Sequence, residues 1–143
     1  MHIDLLRNIS NILEAVELNS TKYDSAITNL ADAVFTSEDF DEILSDMEDL
    51  FIHEGKSANF RFDFAVFYLL SVIYRRVCDR QKLQSLITLG ATRFEDYIDF
   101  KLIYLSCYEF CNPLGKSYAE LLEDASALCS QFPDRPSCLN VYA

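Results

Sequence analysis

Asp63-Phe64-Ala65-Val66-Phe67-Tyr68-Leu69 is answered 36 residues later by Asp99-Phe100-Lys101-Leu102-Ile103-Tyr104-Leu105. Four of the seven positions are identical and two more exchange one apolar residue for another. Each copy opens a long apolar pattern of helical period that is followed by a shorter one. A period of this size is that of a stacked helix pair. Arrays of such pairs present surface for recognition. The reading is therefore an all-α chain of seven to eight antiparallel helices stacked as hairpins, a compact helical bundle being the alternative arrangement.

Composition supports the helical class. Three Gly and three Pro in 143 residues leave few tight turns for an all-β fold, and half the residues are hydrophobic, far from a disordered chain. The length suits a single domain with a core of its own. The longest uncharged apolar run, Phe64 to Tyr74, is eleven residues. A bilayer span needs about 20, so the run predicts a buried core helix. Met1-His2-Ile3-Asp4-Leu5 has neither the basic start nor the apolar stretch of a secretory signal. Five cysteines, an odd number, then read as reduced and mostly buried thiols in a cytoplasmic or nuclear protein.

Outward from the echo, apolar spacing predicts helices over residues 2–18, 22–35, 37–53, 60–78, 79–89, 93–110 and 117–131. Ser37 reads as the N-cap of the third and Gly90 as the residue that stops the fifth. Thr92 then caps the sixth, and Ser117 with Glu120 forms a capping-box pattern before the seventh. Arg75, Arg76, Arg80 and Lys82 read as positive charge complementing the end of the fourth helix. Residues 137–143 have the pattern of an eighth helix that stops after two turns, as expected of a truncated chain or of a last helix that docks elsewhere.

The stretch from Leu121 to Ala143 resembles the junction between two tetratricopeptide-type repeats. Ala125, Ala127 and Leu128 precede Phe132-Pro133, and Pro136 precedes a new helical pattern with Leu139 and Tyr142. In that family small residues let paired helices approach closely and a proline ends the second helix. Ala127 stands six positions before Pro133, one more than the family spacing. The resemblance covers about residues 60–143 and implies a right-handed α-solenoid, with a partner peptide or helix held against the first helix of each pair.

Charge is distributed unevenly. Residues 1–54 hold thirteen acids and two bases, whereas residues 55–143 hold ten of each. Seven acids lie between Glu38 and Asp49. Phosphate contacts need Lys and Arg, so this balance argues against nucleic acid and favours a basic partner protein. A solvated helix face is the plainer alternative.

The chemical motifs dissolve on inspection. Gly55-Lys56-Ser57 and Gly115-Lys116-Ser117 lack the upstream glycine of a P-loop, which would fall at Leu50 and Phe110. Cys107, Cys111, Cys129 and Cys138 include no knuckle spacing for zinc. His53-Glu54 has Ser57 where a metalloprotease needs its second histidine. The acids from Asp39 to Asp49 lack the central glycine of a calcium loop. The expectation is a non-enzymatic interaction module without cofactor or metal, binding another protein and neither nucleic acid nor membrane. Tyr68, Arg75, Lys101 and Tyr104 on the two long helices would contact the partner, with Asp41, Glu42, Asp46 and Asp49 on the acidic helix. Two further alternatives are an acidic helical inhibitor and a Bcl-2-like regulator using one hydrophobic groove.

Overall fold

The computed structural model describes residues 7, 9–12, 21–53, 60–94 and 98–131. The protein is all-α, and no strand occurs among the described residues. Its elements are α1 (Thr21–Phe35), α2 (Phe40–Glu48), a π-helical turn (Asp49–His53), α3 (Phe60–Arg76), α4 (Arg80–Arg93), α5 (Ile98–Cys107) and α6 (Tyr118–Gln131). Residues 9–12 are helical as well, with Ile9 buried. The expected eighth helix, the junction residues beyond Gln131 and the first Gly-Lys-Ser triplet lie outside the described residues. No described helix is long and apolar enough to cross a membrane.

The chain divides into two compact units, residues 1–79 and 80–143. The division falls after Asp79 and not at the charge boundary after Glu54.

In the first unit α1 packs along α3, while α2 and the π-helical turn pack against the same helix. The uncharged run of α3 is the reason. Phe64, Ala65, Val66, Phe67, Leu69, Leu70, Ile73 and Tyr74 are all at most 1% exposed, so this helix is enclosed on nearly every side. Each large side chain so enclosed contributes about 1.5–3 kcal/mol through removal of apolar surface from water. Tyr23, Ile27, Ala31 and Val34 of α1 and Ile43, Met47 and Phe51 of the α2 region complete this core. The buried Ser71 hydroxyl of the run donates to the Tyr68 carbonyl oxygen at 2.6 Å.

Several boundaries differ from those expected, and α5 spans Ile98–Cys107 where the apolar spacing predicted 93–110. Ser37 does not cap a helix that starts beside it. Its hydroxyl accepts from the Asp39 amide at 3.1 Å, making a local turn, and α2 begins at Phe40. Nor does Gly90 stop α4. The helix continues to Arg93 because Leu83, Leu86, Ile87 and Gly90 form one buried stripe. That packing outweighs the roughly 1 kcal/mol a mid-helix glycine costs. Thr92 lies within the same helix and donates to the Leu89 carbonyl oxygen. Finally, Arg80 and Lys82 belong to the first turn of α4 and not to the end of α3. Arg80 instead places its guanidinium 5.0 Å from the Phe110 ring centre.

In the second unit α5 packs on α6 and on α4. Phe100, Leu102, Ile103, Leu105 and Cys107 of α5 meet Leu121, Ala125 and Leu128 as buried residues. The predicted cap of α6 forms: the Glu120 amide donates to Ser117 Oγ at 3.2 Å. Cys78 is free and exposed, and Cys107 and Cys111 are free and buried. Cys129 is disulfide-bonded, which corrects the expectation of uniformly reduced thiols. An odd count of cysteines does not constrain which sulfurs the fold brings together.

Candidate functional site

Two surfaces, one in each unit, bring together residues that a partner or ligand could use. The first is the solvent face of α2. Asp41, Glu42 and Asp49 are exposed and Asp46 is half-buried, while Ile43 and Met47 face the core. Glu38 and Asp39 extend this exposed acidity just before the helix. The alternation at helical period therefore separates charge from core cleanly. Glu48, in the last turn, serves differently, accepting a hydrogen bond from the Tyr74 hydroxyl at 2.6 Å.

Two expected contact residues lie on α3 of the same unit. Arg75 is exposed in its last turn. Tyr68 is half-buried, and its hydroxyl donates to Asp24 Oδ1 of α1 at 3.1 Å. A ring stands beside it one turn earlier, Phe64, at 6.3 Å between centroids. Arg76, next in sequence to Arg75, is ion-paired with Asp32 of α1.

The second surface is a groove of about 460 Å³ between helices of the second unit, lined by α4, α5, the turn after α5, and α6. It holds the remaining two expected residues, Lys101 and Tyr104, so the structure brings these two together. Its apolar lining comes from Ala91, Phe100, Leu105 and Leu114, and its polar lining from Thr88, Thr92, Lys116 and Asp124.

The turn that shapes this groove is built around Asn112. Its Oδ1 accepts from the Lys116 amide at 3.2 Å and its Nδ2 donates to the Lys116 carbonyl oxygen at 2.8 Å. The Tyr104 hydroxyl also donates to Asn112 Oδ1, and accepts from the Leu114 amide at 3.3 Å. Gly115 completes the turn at φ +63°, a conformation that favours a residue without Cβ. Lys116 then runs back toward the helices. Its Nζ lies 2.9 Å from Asp124 Oδ2 and 5.5 Å from the centre of the Tyr104 ring. Burial pushes the Tyr104 phenol above its ordinary range, the Leu114 amide partly opposing the shift.

Tyr104, like Tyr68, has a phenylalanine one turn earlier, with Phe100 at 6.4 Å between centroids. The two tyrosines differ in their hydroxyl partners and in burial, Tyr104 being 2% exposed. Sequence reasoning missed Asn112, Lys116 and Asp124. The Gly-Lys-Ser triplet held Lys116 in view, but only as a rejected phosphate motif. Among the described residues no three His, Cys, Asp or Glu side chains are grouped as a metal would require. Compared with known protein families, with curated proteins and with solved structures, the chain matches none.

Proposed function

We propose that the protein is a non-enzymatic interaction module that docks a basic segment of a partner protein on the acidic face of α2. The observation that carries this reading is the separation of Asp41, Glu42, Asp46 and Asp49 from the buried Ile43 and Met47. A helix anchored through its apolar side presents its carboxylates in fixed positions, and their summed field steers a basic partner toward them. Cytoplasmic or nuclear location belongs to the same proposal. Charge reversal tests it. Partner protein captured by the wild-type chain at low salt should be lost with Glu42→Lys/Asp46→Lys and weakened for wild type in high salt. Capture indifferent to both changes would remove α2 as the docking face. An acidic inhibitor that covers a basic surface of its target uses the same contacts and gives the same results.

A second reading, the tetratricopeptide-like solenoid, is favoured by the recurrence of one feature. Phe64 with Tyr68, and Phe100 with Tyr104, each place a phenylalanine ring beside a tyrosine one helical turn on. In a solenoid these pairs would occupy equivalent places in successive helix hairpins. Solution scattering separates the alternatives, since a curved array has a larger radius of gyration than a compact bundle of equal length.

A further inference from the structure

We propose that the groove of the second unit is a binding site for a small carboxylate with an apolar body, an aryl-alkanoic or medium-chain acid. This goes beyond the interaction reading and does not depend on it. A volume of about 460 Å³ lies within the range of small-molecule sites. The chemistry of the ligand follows from which polar groups of the lining are already committed.

Both threonine hydroxyls donate within their own helix, Thr88 to the Gln84 carbonyl oxygen at 2.9 Å and Thr92 to that of Leu89 at 2.7 Å. They have no proton left to give. The Tyr104 hydroxyl is held by Asn112 and Leu114. Lys116 and Asp124 neutralise each other at 2.9 Å. Lys101 is half-buried, and it has no carboxylate partner among the described residues. The charged group of the lining that lacks an opposite charge is thus the Lys101 ammonium. An anion satisfies it, whereas a neutral polar ligand would leave it largely uncompensated.

Valence narrows the class. One available ammonium matches one negative charge, whereas a dianion such as a phosphate monoester would bring a second charge that the lining leaves unmatched. The rest of the surface is Phe100, Leu105, Ala91 and Leu114, which reward an apolar body of the ligand.

The test uses the full chain and four probes: 3-phenylpropionate, octanoate, and the primary amide of each. Binding is read by calorimetry and by displacement of tyrosine and methyl resonances. The acids should bind saturably and about fivefold more tightly than their amides. Lys101→Met should erase that preference and Lys101→Arg should keep it. Ala91→Phe should fill the groove and remove binding of acid and amide alike, with unchanged far-ultraviolet circular dichroism showing that the helices persist. Equal binding of acid and amide by wild type, an acid preference that survives Lys101→Met, or no saturable binding of any probe would each overturn the assignment.

Discussion

Tyr74 and Glu48 are joined by a 2.6 Å hydrogen bond, the phenol donating to Glu48 Oε2 from the last turn of α3 to the last turn of α2. Tyr74 is 1% exposed, so this is a charged acceptor satisfied at the edge of the core. It also ties the acidic helix to the most deeply enclosed helix of the first unit. The face that would meet a basic partner is thereby held in place from behind.

Removing that hydroxyl should destabilise the protein. Tyr74→Phe keeps the ring and deletes the donor, leaving Glu48 with one bond fewer. The expected loss is about 1–3 kcal/mol, read as a lower urea midpoint at neutral pH. Burial first, then the hydrogen bond and charge of Glu48 and the charge of Asp79, push the phenol well above its ordinary range. A folded-state value raised above the unfolded one contributes stability that is present below the unfolded pKa and lost as pH rises beyond it. The wild type should therefore lose stability above about pH 10, and Tyr74→Phe should lose less. Parallel slopes for the two proteins in alkaline urea titrations would contradict this.

Cys78 ends α3 at φ +58°, in the left-handed region. Its amide donates to the Arg75 carbonyl oxygen at 3.2 Å, and the Asp79 amide donates to that of Tyr74 at 3.0 Å. These two bonds make a Schellman ending, whose left-handed position glycine occupies most readily. Cys78→Gly should relieve the steric cost of Cβ while adding some entropy to the unfolded chain. The net gain should be about 0.5–1 kcal/mol, and a lowered urea midpoint would show that the thiol contributes more than the strain removes.

The parts of this fold that were legible in the sequence are those fixed by local periodicity. The run from Phe64 to Tyr74 had to be enclosed because it offers no polar face, and Ser117 caps α6 because its hydroxyl can reach an amide three residues on. What was misjudged depended on packing between elements. Gly90 has the chemistry of a helix stop, but the stripe begun by Leu83 and Leu86 carries the helix past it. Arg80 and Lys82 follow a helix in sequence, yet the Schellman turn at Cys78 hands them to the next one. Lys101 and Tyr104 were singled out through the echo of residues 63–69. The groove around them needed Asn112, whose role rests on backbone groups that no side-chain pattern reveals.

Thiol reactivity should separate the cysteines by accessibility. Cys78 is exposed, while Cys107 and Cys111 are 1% and 7% exposed. An aromatic disulfide reagent under native conditions should modify Cys78 within minutes and leave Cys107 and Cys111 until denaturant is added. Cys129, being disulfide-bonded, should become reactive after reduction. Mass mapping of the labelled peptides assigns each site, and rapid native labelling of Cys107 would show that the α5–α6 packing opens readily.

Asn112 is the residue on which the groove's shape turns, because one amide side chain serves three groups. Its oxygen accepts from Tyr104 and from the Lys116 amide, and its nitrogen donates to the Lys116 carbonyl oxygen. Asn112→Ala should strip all three, leaving the Tyr104 phenol without its acceptor and freeing the backbone at Lys116. The expected cost is about 1–3 kcal/mol, from three bonds lost, of which the one to the buried Tyr104 phenol weighs most. Asn112→Asp retains both acceptor contacts and forfeits only the donation to Lys116, so its loss should be smaller. The alanine variant should also move the tyrosine resonance of Tyr104 and weaken the ion pair between Lys116 and Asp124, since the lysine reaches its partner from that turn. If Asn112→Ala matched wild type in both stability and the Tyr104 resonance, the turn would be held by Pro113 and Gly115 alone, and the hydrogen bonds to Asn112 would be incidental to it.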